Sequence, residues 1–482
     1  MQNLNPRVDA GEIVPDIRPA FRPPLDPDFQ PAALWNRAYR ALVARDRQAR
    51  PFSLVVERVD GSVSRHDSRI LGSAHPASAL TARYAERLLK FLLWQKGGCR
   101  VLVAGADEIA GYLKRLYAPG GEREFDYRFM GEKVYGRTFV VEAIPFSSLP
   151  SESVVEASSL GRHLNGCRIG FDLGGSDRKA AALIDGRVVF SEEIAWDPYF
   201  KTDPAYHIEG VHDSLKRAAS YLPRVDAIGG SAAGVYVNNE VRAASLFRGV
   251  APDQFDRHIR RMFFALQERW GGVPFEVVND GEVTALAGAM ALGDNAVLGI
   301  SMGTSQAGGY VTPAGGITPW LNELAFAPID YRAKAPCDEW SGDRGCGVQY
   351  FSQQGVARLA DVAGFGFSAT QALPERLVAV QQAMEKNDPR AVQIYESIGI
   401  AFGYAIAHYA DFYELRHVLV LGRVTTGAGG LILLRKAADV LAKEFPECAG
   451  IHISSPGESD KRHGQAIAAA SLPVREPGSL IL

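Results

Sequence analysis

Apolar positions change their spacing several times along the chain, and each change marks a new element. Ala32 to Ala44 repeats at helical spacing. Residues 52–57 and 63–71 flank Asp60-Gly61, a dipeptide that favours a hairpin turn. The pattern then predicts an amphipathic helix over 80–96, a short buried strand from Cys99 to Ala104, a helix over 106–117 and a strand over 137–145. Phe91, Leu93 and Trp94 are expected to pack inside this unit. Residues 147–160 are serine-rich and fit a linker. Next, a strand Arg168–Asp172 pairs across a glycine turn, and Asp185-Gly186 leads to a third strand over 187–194. Helices are predicted over 208–222, 253–271 and 281–292, with strands at 225–229, 275–279, 296–301 and 307–312. Residues 376–415 are helical in two or three pieces, followed by a strand at 417–422, a helix at 429–445, a strand at 450–454 and a helix at 461–471. This alternation predicts a layered α/β fold in two lobes.

Length and composition divide the chain without changing that class. The 482 residues, 47% hydrophobic and 22% charged, suffice for a sizeable core and more than one domain. The expected organisation is an extended proline-rich arm over 1–32, an additional α/β module over 33–150, a first lobe over 161–290 and a second over 291–482. A net charge of -3 and a pI near 6.4 give no basic footprint, so no nucleic-acid partner is expected. No apolar run is long enough for a bilayer, so no membrane partner is expected either. The start, M-Q-N-L-N-P-R-V-D-A, lacks the layout of a secretion signal, and a cytoplasmic location is expected. Five scattered cysteines argue against a disulfide framework. A homodimer is left open.

Three glycine-rich turns, each beside a predicted strand, carry the candidate chemistry. In the first, Asp172 ends a strand and Gly174, Gly175 and Ser176 turn the chain. Glycines there let backbone N–H groups approach a phosphate, an aspartate suits a magnesium ion held through water, and Lys179 reaches phosphate as a point charge. A plain hairpin with a surface acid is the competing reading. Asp280 follows the strand 275–279 at the start of a helix, placed to take a proton from an alcohol or to cap the helix. Gly303, Thr304 and Ser305, with Gly308-Gly309, form the second turn, or an ordinary hairpin. Gly422, with Gly427, Gly429 and Gly430, leaves room for a flat adenine, or makes a simple strand-to-helix loop.

The order of these pieces resembles the sugar-kinase, actin and heat-shock-chaperone superfamily, and more closely the ROK group (repressor, open reading frame, kinase). The resemblance covers roughly 167–475. Asp172 to Ser176 matches its D-[IL]-G-G-T turn, Gly229 to Val235 its substrate loop, Asn279 to Leu286 its N-D-A-N-A-A-A-L segment and Gly303 to Gly309 its G-T-G-x-G-G-G turn. It implies a two-lobed actin/hexokinase-like (ribonuclease H-like) ATPase fold, with the additional module in front. It implies ATP and Mg²⁺ as cofactors and a small-molecule sugar as substrate. Asp280 would be the base, Asn279, Ser231 and Glu323 substrate contacts, and Asp172 the residue beside Mg²⁺ and the phosphates.

The chain departs from the family at three points. Phe326 stands where the family has a zinc-ligating histidine, and Glu339, Ser341 and Cys346 stand where it has three cysteines, so no structural zinc is expected. Val348 stands in place of a sugar-contacting glutamate. Asp177 adds negative charge beside the first phosphate turn. The expected activity is phosphoryl transfer from ATP to a hexose or amino sugar, with a sensor that no longer phosphorylates as the alternative. A dinucleotide enzyme built on Ala104-Gly105-Ala106 ranks below both, because that segment lacks G-x-G-x-x-G.

Overall fold

The computed structural model describes residues 7–9, 12–14, 16–153, 160–455 and 458–474. Part of the expected arm, the middle of the expected linker and the last eight residues of the expected second lobe lie outside these. Strands β1 (Arg7–Asp9) and β2 (Glu12–Val14) pair antiparallel at the start. The following segment runs along the second half of the chain: Ala20 N donates to Glu444, Leu25 N to Ser397 (3.0 Å), and Asp26 pairs with Arg332 (2.7 Å) and Arg358 (2.9 Å).

Helix α1 (Ala32–Arg45), strands β3 (Arg50–Glu57) and β4 (Val63–Ile70), helix α2 (Leu80–Lys96), strand β5 (Arg100–Ala104), helices α3 (Asp107–Leu116) and α4 (Glu124–Arg128) and strand β6 (Val140–Ile144) make the first α/β unit. Its sheet has the order β4-β3-β5-β6, with only β5 and β6 parallel. The hairpin, α2, α3 and both later strands fall where periodicity placed them; α4 and the π-helical turn Phe129–Tyr135 behind it were not foreseen.

A five-stranded sheet follows, in the order β13-β10-β7-β8-β9. Strands β7 (Cys167–Leu173), β8 (Asp177–Ile184) and β9 (Arg187–Ala195) form an antiparallel meander. Helix α5 (Pro204–Ala219) is capped by the Asp203 carboxylate, which accepts from Ala205 N, with Pro204 at its first position. Strand β10 (Ala227–Ala232) lies parallel to β7. A small hairpin of β11 (Val235–Val237) and β12 (Glu240–Ala243), the short α6 (Pro252–Gln254) and α7 (Met262–Arg269) lead to β13 (Phe275–Asn279), parallel to β10. The single helix expected over 253–271 is broken by a π-helical stretch, Phe255–Ile259.

Helix α8 (Asp280–Leu292) passes to a second sheet, β15-β14-β16-β17. Strands β14 (Val297–Met302) and β15 (Gln306–Val311) are a hairpin. Helices α9 (Gln353–Val362), α10 (Leu373–Glu385) and α11 (Pro389–Tyr409) precede β16 (His417–Leu421), α12 (Gly427–Glu444), β17 (His452–Ser454) and α13 (Glu458–Ala470). Strands β14, β16 and β17 run parallel. Gly308 and Gly309, expected in the second turn, lie inside β15. Gly309 is glycine because the first turn of α8 rests on it, a Cβ there standing 2.1 Å from Gly281 O, and Gly308 because a Cβ there would stand 2.6 Å from Asn322 O; one on Gly281 would stand 2.3 Å from Gly308 O.

The first unit is not packed separately. Leu321, Ala325, Phe326, Cys346 and Val348 share one core with Trp35, Leu89, Trp94 and Val101. Phe91 corrects the expectation that it packs inside that unit: it lies in the core of the second sheet and stacks on Phe412 at 4.1 Å. Among the described residues no helix is long and apolar enough to cross a membrane.

Gly309→Ala is expected to lower unfolding free energy by about 3 kcal/mol, the upper range of overpacking costs, since the obstacle is backbone. Gly450→Ala, whose Cβ would meet nothing within 4 Å, is the neutral control; urea denaturation of both variants checks the contrast.

Candidate active site

Three parallel strands of the first sheet end together. Register pairs Ser231 with Asp172 and with Val278, so Asp172 on β7, Ser231 on β10 and the Asn279-Asp280 junction after β13 share one edge. The carboxyl edge of parallel strands is where α/β sheets bind ligands. Ser231 is fully buried and donates its hydroxyl to Asp172 Oδ1 at 2.6 Å, so it orients that carboxylate from within the sheet. Burial raises the Asp172 pKa, against this hydrogen bond and Lys179.

The glycine turn after Asp172 is tight. Gly174 N donates to Asp177 O at 2.9 Å, and Gly174 O accepts from the Trp196 indole at 2.7 Å. A Cβ on Gly175 would stand 2.0 Å from the Tyr199 hydroxyl, so any larger residue there must displace that ring. Asp177 is held locally: Ser176 donates to it at 2.8 Å, and Lys179 Nζ lies 3.3 Å from its other oxygen and 4.0 Å from Asp172 Oδ2. The ammonium thus spans both acids.

Asn279 caps α8, its side-chain oxygen accepting from Gly281 N at 2.7 Å and its amide donating to Gly234 O at 2.7 Å. Asp280 therefore starts the helix but is not its cap. Asp280 is half-buried as a residue, and burial first, then the Asp172 charge, raises its pKa to about 6. Glu323 is raised to about 7 by burial and then by Asp280. The charges of Asp172, Asp280 and Glu323, from distant stretches of sequence, thus bear on one another.

Two residues that pattern reading missed tie this row together. Glu282, one turn into α8, accepts from Tyr310 N at 3.1 Å and from the Asn322 amide, and Asn322 accepts in turn from the Tyr413 hydroxyl at 2.7 Å. Burial raises Glu282 to about 8. Glu282 was visible only as the acid two places after Asp280; its partner forty residues on carries no local signal.

Gly303, Thr304, Ser305 and Gly422 form a second group at the carboxyl edge of the other sheet. Thr304 and Ser305 are exposed in the β14–β15 turn, which Gly303 N closes onto Ser305 O at 2.9 Å. Gly422, at φ 97°, passes so close that a Cβ would stand 2.4 Å from Met302 O. At Gly303 the nearest atom to a Cβ would be Ser305 O, 3.7 Å away, so the turn is open on that side. For a magnesium ion, Asp172 offers one hard carboxylate, the ligand type the ion accepts alongside water. Among the described residues no three His, Cys, Asp or Glu side chains group to hold a metal directly.

Glu282 titrates at about 8 folded against about 4.5 for an unperturbed glutamate. A raised folded pKa means stability is full below the unfolded value and is lost as pH rises through the folded one. Wild-type stability is therefore expected to fall between pH 5 and 8, and Glu282→Gln to flatten that fall by more than about 1 kcal/mol, read from urea titrations at both pH values.

No family model matches the chain, and no curated protein matches its sequence. Solved structures do. A ROK hexokinase from Thermus thermophilus matches 63% of this chain and 97% of its own, at a TM-score of 0.50 and 18% identity. A ROK family transcriptional regulator, a homolog of the E. coli MLC protein, matches 64% of this chain and 79% of its own, at a TM-score of 0.51 and 18% identity. The matched part of the chain therefore has the two-lobed, hexokinase-like α/β fold of the ROK proteins.

Proposed function

We propose that the protein is an ATP-dependent carbohydrate kinase that transfers the γ-phosphoryl group to a sugar hydroxyl. The observation that carries this reading is Asp280, an enclosed carboxyl at the start of α8 whose pKa of about 6 is raised by burial and by Asp172. A base with a pKa near the working pH takes a hydroxyl proton efficiently. Asp172, fixed by Ser231, would hold Mg²⁺ through water, and that ion supplies charge neutralisation at the phosphates. Lys179 and the backbone N–H groups of the turns around Gly174 and Gly303 would bind phosphate oxygens, and Gly422 would admit the adenosine beside Met302. Asn279 and Glu323 would orient the sugar, Asp280 would accept its hydroxyl proton, and the hydroxyl oxygen would bond to the γ-phosphorus as the bond from that phosphorus to the β–γ bridging oxygen breaks and ADP leaves.

The second reading is a ligand sensor on the same fold, favoured by Val348, which is buried in the core where the resemblance implies a polar sugar contact. A panel of hexoses and amino sugars separates the two: turnover of ATP with any of them supports the kinase, and thermal stabilisation without turnover supports the sensor. For the kinase, Asp280→Asn is expected to cut kcat by about 10²–10⁴-fold while nucleotide binding persists. Unchanged turnover would refute the role of Asp280. The wild-type rate is expected to fall as pH drops through about 6, because Asp280 is then protonated; a pH–rate profile flat down to pH 5 would refute it too.

A further inference from the structure

We propose that helix α2 of the first unit is a wall of the acceptor site: its last turn sets the position of Glu323, and a buried ionic cluster closed by Asp343 fixes α2 there. The inference rests on Glu323 being an acceptor contact, as in the proposed function. The final carbonyls of a helix have no partner within it. In α2 the Trp94 carbonyl accepts from Glu323 N at 2.9 Å and the Gln95 carbonyl from Asn322 N at 3.0 Å. The backbone that carries Glu323 thus completes the end of a helix lying more than two hundred residues earlier in the chain. The Trp94 ring packs on Phe326 at 4.4 Å, and a Cβ on Gly97 would stand 2.9 Å from Leu321 Cγ.

Charge also holds α2 to the loop that follows that segment, at Asp343. Arg87, Lys90 and Arg123 face Glu86, Asp126 and Asp343, and none of these side chains is more than 9% exposed. Lys90 Nζ lies 2.7 Å from Asp126 and 3.3 Å from Asp343; Arg123 lies 2.7 Å from Glu86 and 2.6 Å from Asp343; Arg87 lies 3.3 Å from Asp343. Five of the six belong to α2 or to the start of α4. Only Asp343 comes from the later sequence, and without it the first unit holds three buried cations against two acids. Asp343 is held well below the usual carboxylate range: burial opposes this, but Arg87, Lys90 and Arg123 outweigh it. Asp343, Lys90 and Arg123 are therefore positioning residues that act on the acceptor through α2 and the Asn322–Glu323 backbone.

Asp343→Asn keeps the shape of the side chain and removes its charge. In the full-length chain, hydrogen exchange in D₂O is expected to show lost protection in the peptide covering 320–327, with β14 and β16 unchanged. The KM for the best acceptor in the panel is expected to rise about tenfold or more, as for a displaced substrate contact, with the KM for ATP unaltered. The charge-balanced Lys90→Met/Asp343→Asn chain is expected to recover both. Unchanged protection of 320–327 in a folded Asp343→Asn chain would overturn the proposal, and so would an equal loss across the second sheet. If that variant does not fold, Phe326→Leu, which leaves every charge in place, is judged by the same two measurements. Should wild type phosphorylate no sugar, the proposed function fails on that result, while exchange at 320–327 still decides the inference.

Discussion

The first turn of α8 lies on β15 with no side chain between them. Gly281, Gly308 and Gly309 make this approach, and backbone of the helix meets backbone of the strand. The constraint matters because α8 begins where β13 ends. Asp280 is carried by the first sheet but held against the hairpin of the second. Glu282 completes the joint by accepting from Tyr310 N on β15 and from Asn322, the neighbour of Glu323. One helix start thus sets the relation between Asp280 and Glu323, the proposed base and acceptor contact, and a shift of either sheet must pass through it.

Packing the acids this closely has an electrostatic consequence. Asp172 raises Asp280, Asp280 raises Glu323, and Glu323 raises Glu282, in each case after burial. Lys179 offsets Asp172 in part, its ammonium lying 4.0 Å from Asp172 and 3.3 Å from Asp177. Asp177, the added negative charge beside the first phosphate turn, accepts from Ser176 and pairs with Lys179. Added positive charge at Asp172 would relieve Asp280 first, since Asp172 is the charge that bears on it.

The layered α/β class, the two lobes and the positions of Asp172 and Asp280 at strand ends were legible because glycine turns and strand ends are local signals. What stayed hidden was long-range. Gly308 and Gly309 read as turn residues because a glycine needed for close approach has the same letter as one needed for a bend. Phe91 read as interior to its own unit because α2 is apolar on two faces, one toward each core. Glu86, Arg87 and Lys90 read as the polar side of an amphipathic helix, yet they are buried. Their partners Arg123, Asp126 and Asp343 stand up to 256 residues away. Ser231 matched a substrate loop, and its place inside β10, with its hydroxyl on Asp172, needed the register.

The departures at Phe326 and Val348 and the presence of the first unit are best understood as one change. A loop with no protein surface to lie on needs a cross-link, and a tetrahedral metal site is one such device. Residues 322–348 have a surface: α2 takes their N–H groups, Trp94 packs on Phe326, and Asp343 enters the charge cluster. A phenylalanine and a valine are what such a docked segment buries, and both lie in the core of the first unit. A missing metal ligand at Phe326 is then no mark of a decayed site. It is accounted for by another source of order, and burial raises the carboxyls of Asp172, Asp280 and Glu323. This weighs against the sensor reading at Phe326 and leaves Val348 as its remaining support.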